Sequence, residues 1–487
     1  MSILDRFRFI HSSPRAGLLV LAMAVGVTLI WVQILGGTST IRNLWSSGST
    51  TEHITIDPTT GVKLNARLSQ PKIVQGSDGT VYLDLKVVTP AGPQRHESLL
   101  PSDILVVLDR SGSMGEGQKW QYATQAIRSL LDRLTASDRI AFISFDSSAR
   151  LDSPLAPATP QNIARIRSIL QHLAPGASTN LGDALLLAER SASNRSEGPR
   201  RQRVLVLSDG HANTGIVEPA QLPKIARRLA DSGSVVSTVG MGLGFNETLM
   251  ASLADQGMGS FSYLESLGSI LAAELSDTRR VFAEGSNVKV NLPHGAAIVD
   301  VAGYPFEMHG RTAVIRTGQL LHNSTKGFMA TLRIPSQSVG NHEFGAIDLS
   351  YRAAGRSYQQ TLEGGNLLIA CVAPERKAEA IASIDQIVYR KAWSENNFGA
   401  LMKKVGDYVR SGEKTKASGL IDSYKNRLEE AAQSAPGMAR EADAELKELE
   451  AQVDDAFDGP NQGLKQNRAA KKFLDESQKR QRTIVKQ

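Results

Sequence analysis

Four short apolar runs, separated by stretches of helical periodicity, constrain this chain more than any other feature. Ile104-Leu105-Val106-Val107-Leu108, Ile140 to Phe145, Val204 to Leu207 and Val235 to Val239 are all mainly apolar. Between and around them, Gln118 to Leu134, Pro160 to Leu173, Leu181 to Ser193 and Pro219 to Ser232 carry amphipathic helical spacing. A strand buried on both faces reads as a continuous apolar run, and parallel strands need a crossover, usually a helix. The alternation predicts an α/β fold with a doubly wound, mainly parallel sheet. A further helix is expected from near Asn246, followed by a strand over Phe261 to Leu264.

A different texture flanks this region. Val81, Leu83, Leu85 and Val87 alternate with other residues, as do Val288, Val290 and Leu292, then Phe328, Ala330, Leu332 and Ile334, then Ile347, Leu349 and Tyr351. Period-two alternation predicts strands with one buried face. The Val81 group is too small to stand alone. It is expected to pair with the later strands, so that the α/β domain, residues 102–283, is inserted into one β-sandwich built from 61–101 and 284–373. Residues 374–458 read as helical, with Ile381, Ile384, Ile387 and Val388 on one stripe and Leu401, Val405 and Tyr408 or Val409 on another. Residues 459–487 are rich in Gln, Lys and Arg and read as a solvated basic tail.

Residues 16–35, AGLLVLAMAVGVTLIWVQIL, are uncharged and mainly apolar, long enough to cross a bilayer core. Arg6, Arg8 and Arg15 precede the stretch and only Arg42 follows closely. The positive-inside rule then places residues 1–15 in the cytoplasm and everything after Leu35, beginning with the 36–60 linker, outside, in a bacterial periplasm or at a cell surface. A cleaved signal peptide is the alternative, but its apolar core is usually shorter and Leu35-Gly36-Gly37 is a poor cleavage site. The length of 487 residues allows about three domains. The single cysteine, Cys371, excludes an internal disulfide framework and reads as a buried small hydrophobe. A net charge of +6 without zinc-finger spacing or an RRM signature gives no support for nucleic acid as a partner.

The chemistry concentrates at two strand ends. Asp109-Arg110-Ser111-Gly112-Ser113 follows the first apolar run directly, and Ser208-Asp209-Gly210 follows the third. Ligands of open α/β sheets bind at the carboxyl ends of strands. Between the two in sequence lies Ser178-Thr179-Asn180, in a loop from Pro175 to Gly182. Carboxylates and hydroxyls are hard donors that suit Mg²⁺, with Mn²⁺ or Ca²⁺ as alternatives, and they leave an exchangeable position that an external carboxylate could fill. A helix N-cap is the simpler account of Asp109 or Ser113 taken singly. His211 reads as a solvated loop residue, and Arg110 as either a surface charge or a steering group for an acidic partner.

With these residues the chain resembles the von Willebrand factor A family, in the strings LVVLDRSGSM, STNLGDAL, VLVLSDGHANTG and TVGMGLGFNETLMASLA. The resemblance implies a metal-ion-dependent adhesion site on Asp109, Ser111, Ser113, Thr179 and Asp209. The serines, and often the threonine, would supply direct ligands, and the aspartates would act partly through water or hydroxyls. The flanking segments look like bacterial proteins related to inter-alpha-trypsin-inhibitor heavy chains and calcium-activated chloride channel regulators. Neither His96-Glu97 nor His342-Glu343 continues into HExxH, so zinc-protease chemistry has no support. Gly240-Met241-Gly242-Leu243-Gly244-Phe245 is not a dinucleotide fingerprint, and Gly412-Glu413-Lys414-Thr415 is not a P-loop. The resemblance implies a non-enzymatic protein that captures an Asp or Glu of a partner. The alternatives are a regulatory subunit of a channel, transporter or envelope assembly, and a metal-dependent hydrolase.

Overall fold

The computed structural model describes residues 52–91, 101–193, 200–242, 244–264, 280–481 and 484–486. The apolar stretch 16–35 lies outside them. Among the described residues no helix is long and apolar enough to cross a membrane.

Strands β1 (His53–Ile56), β2 (Lys63–Leu68), β3 (Lys72–Val74) and β4 (Thr80–Val88) precede the α/β domain. That domain runs β5 (Ser102–Asp109), α1 (Lys119–Leu131), β6 (Arg139–Phe145), β7 (Ala149–Pro157), α2 (Pro160–His172), α3 (Leu181–Ala192), β8 (Arg201–Ser208), α4 (Leu222–Asp231), β9 (Ser234–Met241), α5 (Glu247–Gln256) and β10 (Met258–Leu264). Its sheet has the order β10-β9-β8-β5-β6-β7. All pairings are parallel except β6 with β7. Strand β5 is central and buried at all eight positions. Ile104, Val106 and Leu108 face the cluster containing Ile127 of α1 and Ile166 of α2. Leu105 and Val107 face Leu185, Ile225 and Leu249 of α3, α4 and α5. Each such aliphatic side chain stabilises the fold by roughly 1.5–3 kcal/mol. Strand β7 was not anticipated. It is an edge strand, exposed or half-buried at all but one position, with Pro154 inside it and Pro157 at its end, so it carries no apolar run.

The sandwich resumes with β11 (Val281–Asn291), β12 (Ala297–Val301), β13 (Phe306–His309), β14 (Thr312–Leu321), β15 (Ser324–Arg333), β16 (Gly340–Glu343), β17 (Ile347–Ala353), β18 (Arg356–Leu362) and β19 (Leu368–Val372). One sheet has the order β1-β2-β4-β15-β12, the other β13-β14-β11-β17-β18, and a small third sheet β16-β19-β3. Strand β4 pairs antiparallel with β15, with Leu85 opposite Phe328, so the first strands do join the later ones across the inserted domain. Val81, Leu83, Leu85 and Val87 share one core with Val288, Val290, Ile347 and Leu349. Cys371 is buried in that core, and burial pushes its thiol up. The Gly79 turn is held by Ile334 N–H donating to the Gly79 carbonyl at 2.8 Å. Gly79 has φ of +69°, and an added Cβ would stand 2.0 Å from the Ile334 carbonyl oxygen. Gly79→Ala is expected to destabilise the sandwich by about 1–3 kcal/mol, read as a lower urea midpoint at unchanged m.

Helices α6 (Lys377–Ala382), α7 (Gln386–Lys391), α8 (Phe398–Arg410), α9 (Lys414–Ala432), α10 (Met438–Ala456) and α11 (Gln462–Gln481) complete the described chain, with β20 (Ile484–Lys486) paired to β15. Three expectations need correction. The stripe through Ile381 to Val388 is broken, because the Asp385 carboxylate caps a new helix by accepting from the Ile387 and Val388 N–H groups. Ile387 is therefore 69% exposed. Strand β4 is buried on both faces, because Val388 and Ala392 cover Tyr82 while Lys391 pairs with Asp84 at 2.8 Å. Finally, the expected basic tail is a helix docked along α8, with Phe473 fully buried.

Candidate metal centre

The carboxyl ends of β5 and β8 are adjacent, with Leu108 beside Leu207 in parallel register. That register brings Asp109 and Asp209, one and two residues further on, to the same end of the sheet. Asp109 is fully buried and committed to two hydrogen bonds. Its Oδ1 accepts from Ser111 N–H at 2.8 Å and its Oδ2 from the Ser208 hydroxyl at 2.5 Å. Ser208 Oγ in turn accepts from Gly210 N–H at 2.8 Å, tying the two strand ends together. After β5 the chain makes a one-turn 3₁₀ helix, Gly112–Gly115, which places the Ser111 and Ser113 hydroxyls 3.2 Å apart.

Thr179 arrives on a separate loop seated against that turn. Gly112 N–H donates to the Ala177 carbonyl at 2.9 Å and Gly176 N–H to the Arg110 carbonyl at 2.5 Å. Gly176 permits this approach, since a Cβ there would lie 2.4 Å from Asp146 Oδ2. The Thr179 N–H donates to Asn213 Oδ1 at 2.8 Å, while its carbonyl accepts from Asn213 N–H at 3.0 Å. The Asp209 carbonyl accepts from Asn246 N–H, at the cap of α5, at 2.8 Å. Three loops thus converge on one end of the sheet.

Electrostatically the site is two buried acids and one buried cation. Burial lifts the Asp109 carboxyl to about 6. The Ser208 and Ser111 hydrogen bonds oppose that rise, and the charge on Asp209 adds to it. Lys119 Nζ lies 3.1 Å from Asp209 Oδ2. Asp209 Oδ1 is buried without a hydrogen-bond partner, a loss of about 1–3 kcal/mol unless another group supplies one. That orphaned oxygen and the hydroxyl-rich donor set fit a hard divalent cation. Among the described residues no three His, Cys, Asp or Glu side chains gather as a metal cluster, so an ion here would depend on the hydroxyls.

Arg110 pairs with Asp146 at 2.7 Å, and His211 is an exposed loop residue whose ring contacts the Gly244 carbonyl. Lys119, Ser208 and Asn213 were missed. Ser208 adjoins Asp209 in sequence, which was a usable signal. Lys119 and Asn213 become neighbours of the site only through loop geometry.

The helical region reaches the same end of the domain. Lys471 of α11 donates to the Gly242 carbonyl at 2.9 Å and lies 4.1 Å from the centre of the Phe245 ring. Glu247, buried at the start of α5, contacts Arg410 and lies 3.6 Å from Lys471.

A mixed sheet of this order, wrapped by helices and carrying these loops at its carboxyl end, defines the class of the inserted domain. Residues 103–275 match the family model for the von Willebrand factor type A domain, and the chain carries a domain of that family. Among curated proteins it is similar to the uncharacterized protein YfbK of Escherichia coli, at 28% identity over 44% of this chain and 37% of that protein. It is also similar to inter-alpha-trypsin inhibitor heavy chain H3 of Mesocricetus auratus, at 26% identity over 48% of this chain and 27% of that one. The matches therefore span well under two thirds of either relative. The solved structure of a von Willebrand factor type A protein from Catenulispora acidiphila covers 89% of this chain and 99% of its own, with a TM-score of 0.62 at 15% identity. That likeness is one of fold, and it extends beyond the α/β domain. A domain of this family is consistent with a protein-interaction role.

Proposed function

We propose that this chain is a membrane-anchored, extracytoplasmic binding protein that captures an Asp or Glu side chain of a partner protein through a divalent cation. Mg²⁺ is the favoured ion, held by Ser111, Ser113 and Thr179 with Asp109 and Asp209 behind them. Bound there, the ion would supply a Lewis-acidic position for one external carboxylate. The observation that carries the reading is the buried, unpartnered Asp209 Oδ1 at the sheet end that also carries the paired Ser111 and Ser113 hydroxyls. Asp109 acts through the Ser111 backbone and the Ser208 hydroxyl, orienting the turn. The uncharged stretch 16–35 and the arginines before it support the anchor and the outward orientation.

The test is calorimetric titration of the detergent-solubilised full chain with Mg²⁺ and Mn²⁺, beside Asp109→Ala. Binding by the wild type that the variant loses is expected, and retention of proteins on the immobilised chain should disappear in EDTA. Equal ion binding by both chains, or chelator-insensitive retention, overturns the reading.

A further inference from the structure

Lys119 is misplaced by ordinary rules. It is the first residue of α1, where the helix dipole disfavours a cation. Its side chain is only 11% exposed, and its Nζ is spent on Asp209, which is wholly buried. The fold makes room for it. Gly242 has φ of +76°, and an added Cβ there would lie 2.5 Å from Lys119 Cε, so the lysine stem passes under the β9–α5 connection. A buried cation in an unfavourable place needs a compensating role.

The charge balance supplies one. Asp109 and Asp209 carry two negative charges and Lys119 returns one, leaving the buried set at −1. The neighbouring Arg110–Asp146 pair is neutral, and Arg410 and Lys471 are engaged with Glu247 at the start of α5. A divalent cation brings the set to +1, and one carboxylate then brings it to zero. Without Lys119 the cation alone would reach zero and nothing further would be required. We infer that Lys119 is a specificity residue that weakens the site for a cation alone and makes retention of the cation depend on one monoanionic carboxylate. This rests on the metal reading above and deepens it. Linkage requires that a carboxylate tighten the cation and the cation tighten the carboxylate by the same factor.

The test compares wild type, Lys119→Met and Lys119→Arg by Mg²⁺ calorimetry, in sodium acetate and in sodium chloride at equal ionic strength. Lys119→Met is expected to bind Mg²⁺ at least about tenfold more tightly in chloride and to lose the acetate dependence. Wild type and Lys119→Arg should both bind more tightly in acetate. A Lys119→Met affinity at or below wild type, or acetate dependence surviving in that variant, overturns the proposal. Lys119→Arg keeps the charge, so its loss of acetate dependence would overturn it even if Lys119→Met does not fold. No Mg²⁺ binding by the wild type would remove the metal reading and this inference together. Wild-type binding that is indifferent to acetate would remove the inference alone.

Discussion

Phe473→Ala is expected to cost the helical region about 3–5 kcal/mol and to release α11 from α8. The Phe473 side chain is fully buried in a core shared with Val405, Val409 and Leu446. Close approach of the helices depends on Gly406, where a Cβ would stand 3.2 Å from the Ala470 carbonyl and 3.5 Å from Phe473 Cβ. Truncating the ring therefore leaves a cavity that two closely packed backbones cannot readily close. Chemical denaturation with hydrogen exchange across 462–481 reads both effects. A cost below about 1 kcal/mol, with exchange already fast in the wild type, is what a solvated tail would give, and it would refute the docked helix.

That helix reads as a tail in the sequence for a physical reason. Its buried positions are Ala470, Lys471, Phe473 and Ser477, of which only Phe473 is a large apolar residue. Small residues suffice because Gly399 and Gly406 of α8 stand opposite them and let the backbones approach. Ser477 Oγ, for example, donates to the Gly399 carbonyl at 2.7 Å. Hydrophobic periodicity reports large side chains and is blind to burial achieved by close backbone approach. The same limit hid β7, whose edge position needs no apolar run, and the second buried face of β4, whose Asp84 is buried because Lys391 and Lys86 neutralise it. Where burial is symmetric and aliphatic, as over Ile104–Leu108 of β5 and Val204–Leu207 of β8, the reading is direct.

The candidate site was legible for a related reason. Asp109, Ser111 and Ser113 are contiguous with the strand that aims them, and Asp209 ends a strand of the same texture. Their convergence follows from parallel register alone. Lys119 could not be read this way, because its contact with Asp209 depends on a glycine on a distant loop. Asn213 holds the Thr179 backbone through a turn that likewise has no linear signature.

Glu247→Ala is expected to be the most damaging change at the contact between the α/β domain and the helical region, about 3–5 kcal/mol. Glu247 is 3% exposed and Lys471 7%. Removing the carboxylate takes away a counter-charge 3.6 Å from the buried Lys471 ammonium, which keeps the Gly242 carbonyl and the Phe245 ring. The pair itself is expected to contribute little net stability, as buried ion pairs commonly do. Burial raises the Glu247 carboxyl above its ordinary value even though Arg410 and Lys471 both pull it down. Desolvation therefore outweighs attraction, and removing both charges should cost much less than removing one. In a double-mutant cycle, Glu247→Ala with Lys471→Met is expected to fall short of the summed single costs by about 0.5–3 kcal/mol. Additive costs would show that the two groups do not act as a pair. A pair that adds little stability but is costly to break selects one docking geometry. Here that geometry holds α11 on the connection whose Asn246 N–H secures the backbone of Asp209.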